Sequence, residues 1–207
     1  MARIRAARGT GYKKSEDSRR QVLDAAIRVL AKKGVTGTSV QDIADGAGLS
    51  KGAVHYHFDS KDELLERVLD RCCEVIEARI RAVFEAEGLP IERIHRALTE
   101  MWIVRRDGVH EMRVLTELHT LARQNKRIRK AFAEALERAC AQIVDTGLAH
   151  LVAMGLKPKV PVHVIPRLLI ATLDGLALQQ ELDPVSAETE AEILGALQAT
   201  TMSLFEL

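Results

Sequence analysis

The sequence has few of the residues that cross-link chains or span membranes. Its 207 residues include three cysteines. Cys72 and Cys73 are adjacent and Cys140 is remote, so we expect no disulfide framework. No apolar run approaches the ~20 residues of a transmembrane helix, and the basic N-terminal segment lacks the apolar stretch of a secretory signal. These absences favour a soluble, cytoplasmic protein with no membrane partner.

Catalytic motifs are also absent. The glycines of Gly46–Lys51 do not have the spacing of a phosphate-binding loop, and no nucleophile elbow, HExxH or paired-cysteine metal motif occurs. Glu92 and His95 form one Glu-x-x-His pair, but a di-metal site in a helical bundle needs two. His55 and His57 face different directions on a helix and make no metal site. We therefore expect no enzyme, no metal and no cofactor.

Strand signals are missing, and helical periodicity fills the chain. Alternating polar and apolar runs do not occur, while Ala, Leu, Glu and Arg dominate. Apolar spacing, capping residues and the Gly and Pro breaks predict an all-α fold of nine helices. Their approximate bounds are 18–33, 40–47, 51–57, 61–86, 90–105, 109–123, 126–154, 162–182 and 187–207.

The segment from Thr38 to Leu65 is the most informative part of the chain. Gly48 stands where a sharp turn needs a left-handed backbone, and Ser50 is a good N-cap for the helix that follows. Leu49 and Val54 supply apolar anchors at the spacing of a helix-turn-helix, whose second helix enters the DNA major groove. The apolar face of the first short helix consists of Val40, Ile43, Ala44 and Ala47.

This segment closely resembles the TetR family of bacterial transcriptional regulators over about Ser18 to Leu65. The shared positions are Gly34, Thr38, Ser39, Val40, Asp42-Ile43-Ala44, Ala47-Gly48-Leu49-Ser50, Lys51-Gly52-Ala53, Tyr56-His57-Phe58 and Ser60-Lys61. His55 departs from the pattern, because the family usually has Tyr there. The resemblance implies an N-terminal three-helix DNA-binding domain, 18–62, followed by a six-helix effector-binding and dimerisation domain, 63–207.

The candidate DNA contacts lie on and around the second short helix. Lys51 can donate to guanine or phosphate, and Gly52 and Ala53 permit close approach to the bases. Tyr56 divides between phosphate contact and packing, whereas Phe58 is expected in the core. From the chemistry of the residues and the resemblance together, the full set is Thr38, Ser39, Gln41, Ser50, Lys51, Gly52, Ala53, His55, Tyr56 and Lys61.

The charge distribution supports a nucleic-acid partner for the N-terminal part. Residues 1–61 carry 12 Lys or Arg and six acidic side chains, so that part has a net charge of +6. The whole chain has a net charge of +1, which leaves −5 for the remainder. Residues 1–17 are expected to form a basic flexible arm, which is either a solvated tail or a minor-groove contact.

The resemblance places a small-molecule effector site among the middle helices and a homodimer interface on the last two. The ligand candidates are Met101, Trp102, Arg105, Glu117, Leu118, Phe132, Leu136 and Cys140. The dimer candidates are Ile165, Leu168, Leu169, Leu173, Leu176, Ile193, Leu194 and Leu197. The function implied is a ligand-responsive regulator, usually a repressor, that binds a double-stranded palindromic operator. The alternative is an architectural DNA-coating protein without an effector.

Overall fold

The computed structural model describes the backbone of residues 3–206 and the side chains of residues 15–89 and 91–206. Helices dominate the described chain, as the sequence predicted. They are α1 (Arg3–Lys33), α2 (Val40–Ala47), α3 (Lys51–His57), α4 (Lys61–Glu85), α5 (Pro90–Arg106), α6 (His110–Ala122), α7 (Lys126–Ile143), α8 (Ala149–Ala153), α9 (Val164–Leu182) and α10 (Ala187–Ser203).

Three local features differ from the sequence prediction. The first helix begins at Arg3 rather than Ser18. A π-helical turn, Val144–Leu148, joins α7 to α8, so the helix predicted over 126–154 continues through a change of hydrogen-bond pattern. Two short strands, β1 (Lys157–Pro158) and β2 (Phe205–Glu206), pair antiparallel where no strand was expected. Two residues are too few to produce a periodic signal.

The described residues pack into two compact units. The first contains the chain up to Glu74 together with His110–Ala133, and the second contains Val75–Val109 and the residues from Glu134 onward. The domain boundary expected after residue 62 stays a prediction. No helix among the described residues is both long enough and apolar enough to cross a membrane.

The first unit is built around α1, which packs against α2, α3 and α6. Its fully buried side chains include Ile43 and Ala44 from α2 and Phe58 from the end of α3. Gly46 is a site of close packing between α1 and α2, because a Cβ placed there would lie 2.6 Å from Val29 Cγ2.

Replacing Gly46 with Ala should therefore destabilise the first unit. The added methyl overlaps a β-branched side chain that has little freedom to rotate, and such overpacking costs about 1–3 kcal/mol. Urea unfolding followed by circular dichroism measures the loss. Gly52→Ala is the matched control, because its nearest atom, Ser50 Oγ, would lie 3.7 Å away and Ala favours a helix. Equal stability of the two variants would contradict the close packing.

The second unit has two apolar clusters. In one, the buried residues Leu98, Met101 and Trp102 of α5 pack against Leu169 and Leu173 of α9. Trp102 Nε1 also donates to Glu190 Oε1 of α10 at 2.7 Å, which ties α5 to the last helix. The other cluster is formed by Leu148, Leu151, Ile165 and Phe205.

Candidate DNA-binding surface

The turn between α2 and α3 has the geometry expected of a helix-turn-helix. Ser39 caps α2, since its side chain accepts from Asp42 N while the Asp42 carboxylate accepts from Ser39 N. Gly48 has φ 65° and ψ 31°, in the left-handed region. Gly48 N donates to Asp45 O and Leu49 N to Ala44 O, which is the Schellman pattern that closes a helix. The predicted left-handed turn at Gly48 is confirmed.

The buried side of α3 fixes which residues face outward. Ser50 Oγ accepts from Ala53 N at 3.1 Å and caps the helix, while Val54 and Phe58 are buried in the first unit. His57 Nε2 lies 3.0 Å from Ser18 Oγ of α1. Phe58 is therefore a core residue and His57 a hydrogen-bonding one, as predicted.

The opposite side of α3 is exposed and forms a single surface. Positions i, i+1, i+4 and i+5 lie on the same side of a helix, and here they are Lys51, Gly52, His55 and Tyr56, all exposed. Tyr56 is 78% exposed, which decides against a packing role. We name these four residues the α3 outer face. On this face Lys51 contributes an ammonium group, His55 an imidazole and Tyr56 a phenol, while Gly52 has no side chain.

The remaining DNA-contact candidates on α2 and around α3 differ in their exposure and in their hydrogen-bond partners. Ser39, Gln41 and Ser50 are exposed, and Ala53 is half-buried. Gln41 Nε2 donates to Asp45 Oδ1 at 2.7 Å, so its amide has a partner along the helix. Thr38 is 2% exposed and its hydroxyl donates to Gly34 O at 2.6 Å. The Thr38 side chain closes the loop between α1 and α2, and the DNA contact expected at this position stays a prediction.

Lys61 has an intramolecular role that the sequence did not suggest. Its Nζ donates to Val35 O at 3.1 Å and to Thr38 O at 2.6 Å. The ammonium therefore joins the first residue of α4 to both ends of the loop that leads into α2. The predicted phosphate contact by Lys61 would compete with these two hydrogen bonds.

Glu117 of α6 holds the same loop from another side. Its Oε2 accepts from Val35 N at 2.5 Å and lies 3.2 Å from the position of a Cβ on Gly34. Gly34 has φ +80°, so the absence of a side chain serves both the turn and the approach of the carboxylate. The ligand contact expected of Glu117 stays a prediction; in this structure its carboxylate binds the backbone of Val35. No local pattern links residues 82 positions apart.

Two titratable groups in this region have shifted pKa values. Hydrogen bonds from Lys33 and Ser39 hold the pKa of the Asp42 carboxyl well below its usual range, so the α2 capping box remains charged at neutral pH. Burial, and to a smaller extent Arg19, lowers the pKa of His57. The His57 ring is therefore neutral at pH 7 and suited to its hydrogen bond with Ser18.

Comparison with known proteins identifies relatives that share the helix-turn-helix segment. A family model described as bacterial regulatory proteins, tetR family, matches residues 22–68. The HTH-type transcriptional regulator PksA of Bacillus subtilis is 31% identical over 170 residues, which cover 82% of each chain. The HTH-type transcriptional repressor KstR2 of Mycobacterium tuberculosis is 37% identical over 79 residues, 38% of this chain and 40% of the repressor.

Solved structures extend the likeness beyond the helix-turn-helix. A transcriptional regulator from Rhodococcus sp. Rha1 aligns with a TM-score of 0.69 and 26% identity, covering 90% of this chain and 95% of that one. Salmonella enterica GusR aligns with a TM-score of 0.71 at 22% identity over 91% of this chain and 95% of its own, a likeness of fold. The chain belongs to the TetR family of transcriptional regulators.

The general activity of the chain follows from its membership of the TetR family. It is a DNA-binding transcriptional regulator with a helix-turn-helix, and proteins of this family are not enzymes. The all-α fold with an N-terminal helix-turn-helix is likewise that of the family. Within this TetR-family regulator, α2 and α3 are the helix-turn-helix pair.

The ligand candidates do not all lie in one unit of the TetR-family chain. Met101 and Trp102 are buried in the α5–α9 cluster, and Arg105 donates to Asp174 of α9 at 2.6 Å. Leu136 and Cys140 belong to the same second unit, whereas Glu117, Leu118 and Phe132 belong to the first. The common ligand site expected for these residues stays a prediction.

The dimer candidates on α9 divide by burial. Ile165, Leu169 and Leu173 are at most 7% exposed and pack inside the second unit. They are corrected from interface to core, because the chain itself covers them. Leu176, Leu194 and Leu197 are partly buried against the same core, and Ile193 is also half-buried. Leu168, at 50% exposed, faces outward.

Proposed function

We propose that this chain is a homodimeric repressor in the cytoplasm that binds a palindromic operator and is released by a small molecule bound in its C-terminal part. The observation that carries the proposal is the α3 outer face. It is a short, capped helix with an exposed side containing Lys51, Gly52 and Tyr56, and with no bulky side chain at its centre. Such a face fits the major groove.

Around this face we propose a graded set of contacts. Gly52 and Ala53 allow the helix to approach base edges, while Lys51 donates to guanine or phosphate. His55 and Tyr56 reach phosphates on one side, and Ser39, Gln41 and the exposed N-terminus of α2 bind phosphate on the other. Ser50 acts through its cap, which fixes the start of α3.

Pairing is expected because one α3 helix reads too few base pairs for a unique site. The exposed side of α9 supplies a suitable surface with spacings of 3, 4, 3 and 4 residues, the pattern of a helix–helix seam. It consists of Leu168, Ala171, Gly175, Leu178 and Leu182, which we name the α9 seam. The three leucines are 50%, 57% and 79% exposed, and nothing lies within 4 Å of a Cβ on Gly175. We propose that a second copy of the chain covers this seam.

The effector would act by a linked equilibrium. We propose a DNA-binding domain over residues 18–62 and an effector-binding and dimerisation domain over 63–207, with α4 and α7 contributing residues to both compact units. A small molecule lowers operator affinity only if it binds more tightly to the conformation that fits DNA less well. Met101, Trp102, Arg105, Leu136 and Cys140 remain proposed ligand contacts in the second unit.

The N-terminal arm adds a separate hypothesis. Residues 1–14 contain five basic side chains and no acid; these side chains lie outside the described residues. We propose that this segment contacts DNA with little sequence preference and so raises affinity for any duplex.

The sharpest test of the DNA-reading face is Gly52→Ala. In the free protein a Cβ at position 52 meets only Ser50 Oγ, 3.7 Å away, and Ala gains about 0.5–1 kcal/mol over Gly inside a helix. The variant should therefore unfold at higher urea concentration and yet bind the operator about tenfold or more weakly, since the methyl blocks close approach to the bases.

The measurement requires an operator, which selection from random duplexes would supply. Fluorescence anisotropy then gives the affinity of both proteins at one fixed salt concentration, and Val152→Ala, an exposed position in the second unit, is the control. Unchanged operator affinity in Gly52→Ala would contradict the proposal that α3 lies in the major groove. Selection that returns no palindrome, with equal binding to any duplex, would favour an architectural protein instead.

A further inference from the structure

The turn between α6 and α7 carries a concentration of positive charge that the reading surface does not use. Residues 123–130, RQNKRIRK, contain five basic side chains and no acidic one. They belong to the first compact unit, the same unit as α2 and α3. We name this segment the basic turn.

The basic turn is held rigidly. Asn125 Oδ1 accepts from Arg127 N at 3.0 Å and from Ile128 N at 3.2 Å, so Asn125 caps α7. Arg129 donates to Ala122 O at 3.0 Å and to Arg123 O at 2.6 Å, which closes the end of α6. A surface already ordered in the free protein loses little conformational entropy when it binds a partner.

Two contacts place the basic turn beside the start of α4. Asn125 Nδ2 donates to Asp62 Oδ2 at 2.9 Å, and Arg127 Nε donates to Glu66 Oε2 at 2.6 Å. Lys61, next to Asp62, bonds to Thr38 O, directly before the Ser39 cap of α2. The turn is thus linked, through the first residues of α4, to the loop that leads into α2.

The acidic side chains at the start of α4 are already engaged. Asp62 and Glu66 accept the hydrogen bonds from Asn125 and Arg127, and the Glu63 carboxylate accepts from Asp59 N at 2.8 Å. The side chains of Arg123 and Lys126 are exposed and make no hydrogen bond or ion pair with any of the side chains described over 15–89 and 91–206. Two cations therefore point into solvent at this edge.

We propose that the basic turn is a second DNA-contact surface, which binds backbone phosphates of the duplex outside the half-site read by α3, through Arg123 and Lys126. This inference rests on the proposed operator binding. Ammonium and guanidinium groups bind phosphate without reading sequence, so the contact would add affinity and salt dependence but no base preference. It would also make the preferred duplex longer than the palindrome.

The test compares the full chain with the double variant Arg123→Gln/Lys126→Gln on two duplexes. The short duplex contains only the selected operator, and the long one adds about one helical turn on each side. Anisotropy titrations over a range of salt concentrations give the slope of log K against log salt. Lys157→Gln/Arg167→Gln, at exposed positions of the second unit, removes the same charge and is the control.

On the long duplex, the double variant should lose about two units of salt slope per protomer and on the order of tenfold in affinity at 0.15 M salt. On the short duplex it should match the wild type, and the control should match the wild type on both. Equal losses on short and long duplexes, or no loss on either, would overturn the inference. Loss of binding to an acidic protein partner, with DNA affinity intact, would also overturn it. A wild-type chain that selects no operator would instead refute the proposed function. Thermal melts check that both variants are folded.

Discussion

Replacing Leu178 with Glu should give a folded chain that no longer pairs and binds the operator about 100- to 10,000-fold more weakly. Leu178 lies in the α9 seam and is 57% exposed, so an exposed Glu costs the isolated chain little. In the proposed dimer the same carboxylate would face its copy across a desolvated seam, where two like charges repel. When two DNA-binding domains are linked in a dimer, binding of the first raises the effective concentration of the second at the operator. This raises affinity by a factor of this size, which a monomer loses.

The experiment has two readings and one matched control. Sedimentation equilibrium or light scattering gives the mass of the particle, and anisotropy gives operator affinity. Val152→Glu places the same charge on another exposed hydrophobic of the second unit, 48% exposed and outside α9. It should remain a dimer and bind normally. A Leu178→Glu protein that remains dimeric would move the interface away from the α9 seam, and a monomer with full operator affinity would show that pairing is unnecessary.

Local chemistry made the helix-turn-helix predictable. The left-handed turn at Gly48, the Ser50 cap and the burial of Phe58 each depend on neighbours within a few residues, and all appear as expected. The first difference between the predicted and the observed structure, the start of α1, is also local. Nothing in the apolar pattern before Ser18 predicts a helix, yet α1 begins at Arg3.

Periodicity alone could not assign the two sides of α9. This helix is apolar nearly all round, so the sequence marks both its core and its exposed stripe with leucine. Leu173 and Leu178 look equivalent in the chain, but the first is 0% and the second 57% exposed. Which side is covered depends on where α5 packs, and that is set by residues about 70 positions earlier, such as Trp102.

Long-range hydrogen bonds give two polar residues partners that the sequence could not predict. Glu117 and Lys61 both reach the loop that follows α1, over 82 and 23–26 positions respectively. A sequence pattern shows that a Glu or Lys is polar and available, but not which backbone group the fold brings to it. The sequence therefore suggested a ligand contact for Glu117 and a phosphate contact for Lys61, which stay predictions, and it could not reveal their hydrogen bonds to Val35 and Thr38.

The variant Lys61→Met distinguishes the intramolecular role of Lys61 from a phosphate contact. Met keeps a flexible apolar stem and loses the ammonium, so Val35 O and Thr38 O lose their shared donor. Hydrogen bonds from a charged donor contribute about 1.5–3 kcal/mol each, and Lys61 is half-buried. After a discount for partial exposure, we expect a loss of roughly 3 kcal/mol in the free energy of unfolding. Urea titration measures it, and faster hydrogen exchange over residues 34–40 would localise it.

Salt dependence identifies the alternative role. If Lys61 acts only within the protein, the surviving folded Lys61→Met should keep the wild-type slope of log K against log salt, even if its affinity falls because α2 is less well held. If Lys61 binds phosphate instead, the slope should drop by about one unit per protomer while stability hardly changes. Lys61→Arg, which keeps the charge but has a bulkier, planar head, is the control. A wild-type unfolding energy in Lys61→Met, combined with a lower slope, would contradict the role inferred from the two carbonyl contacts.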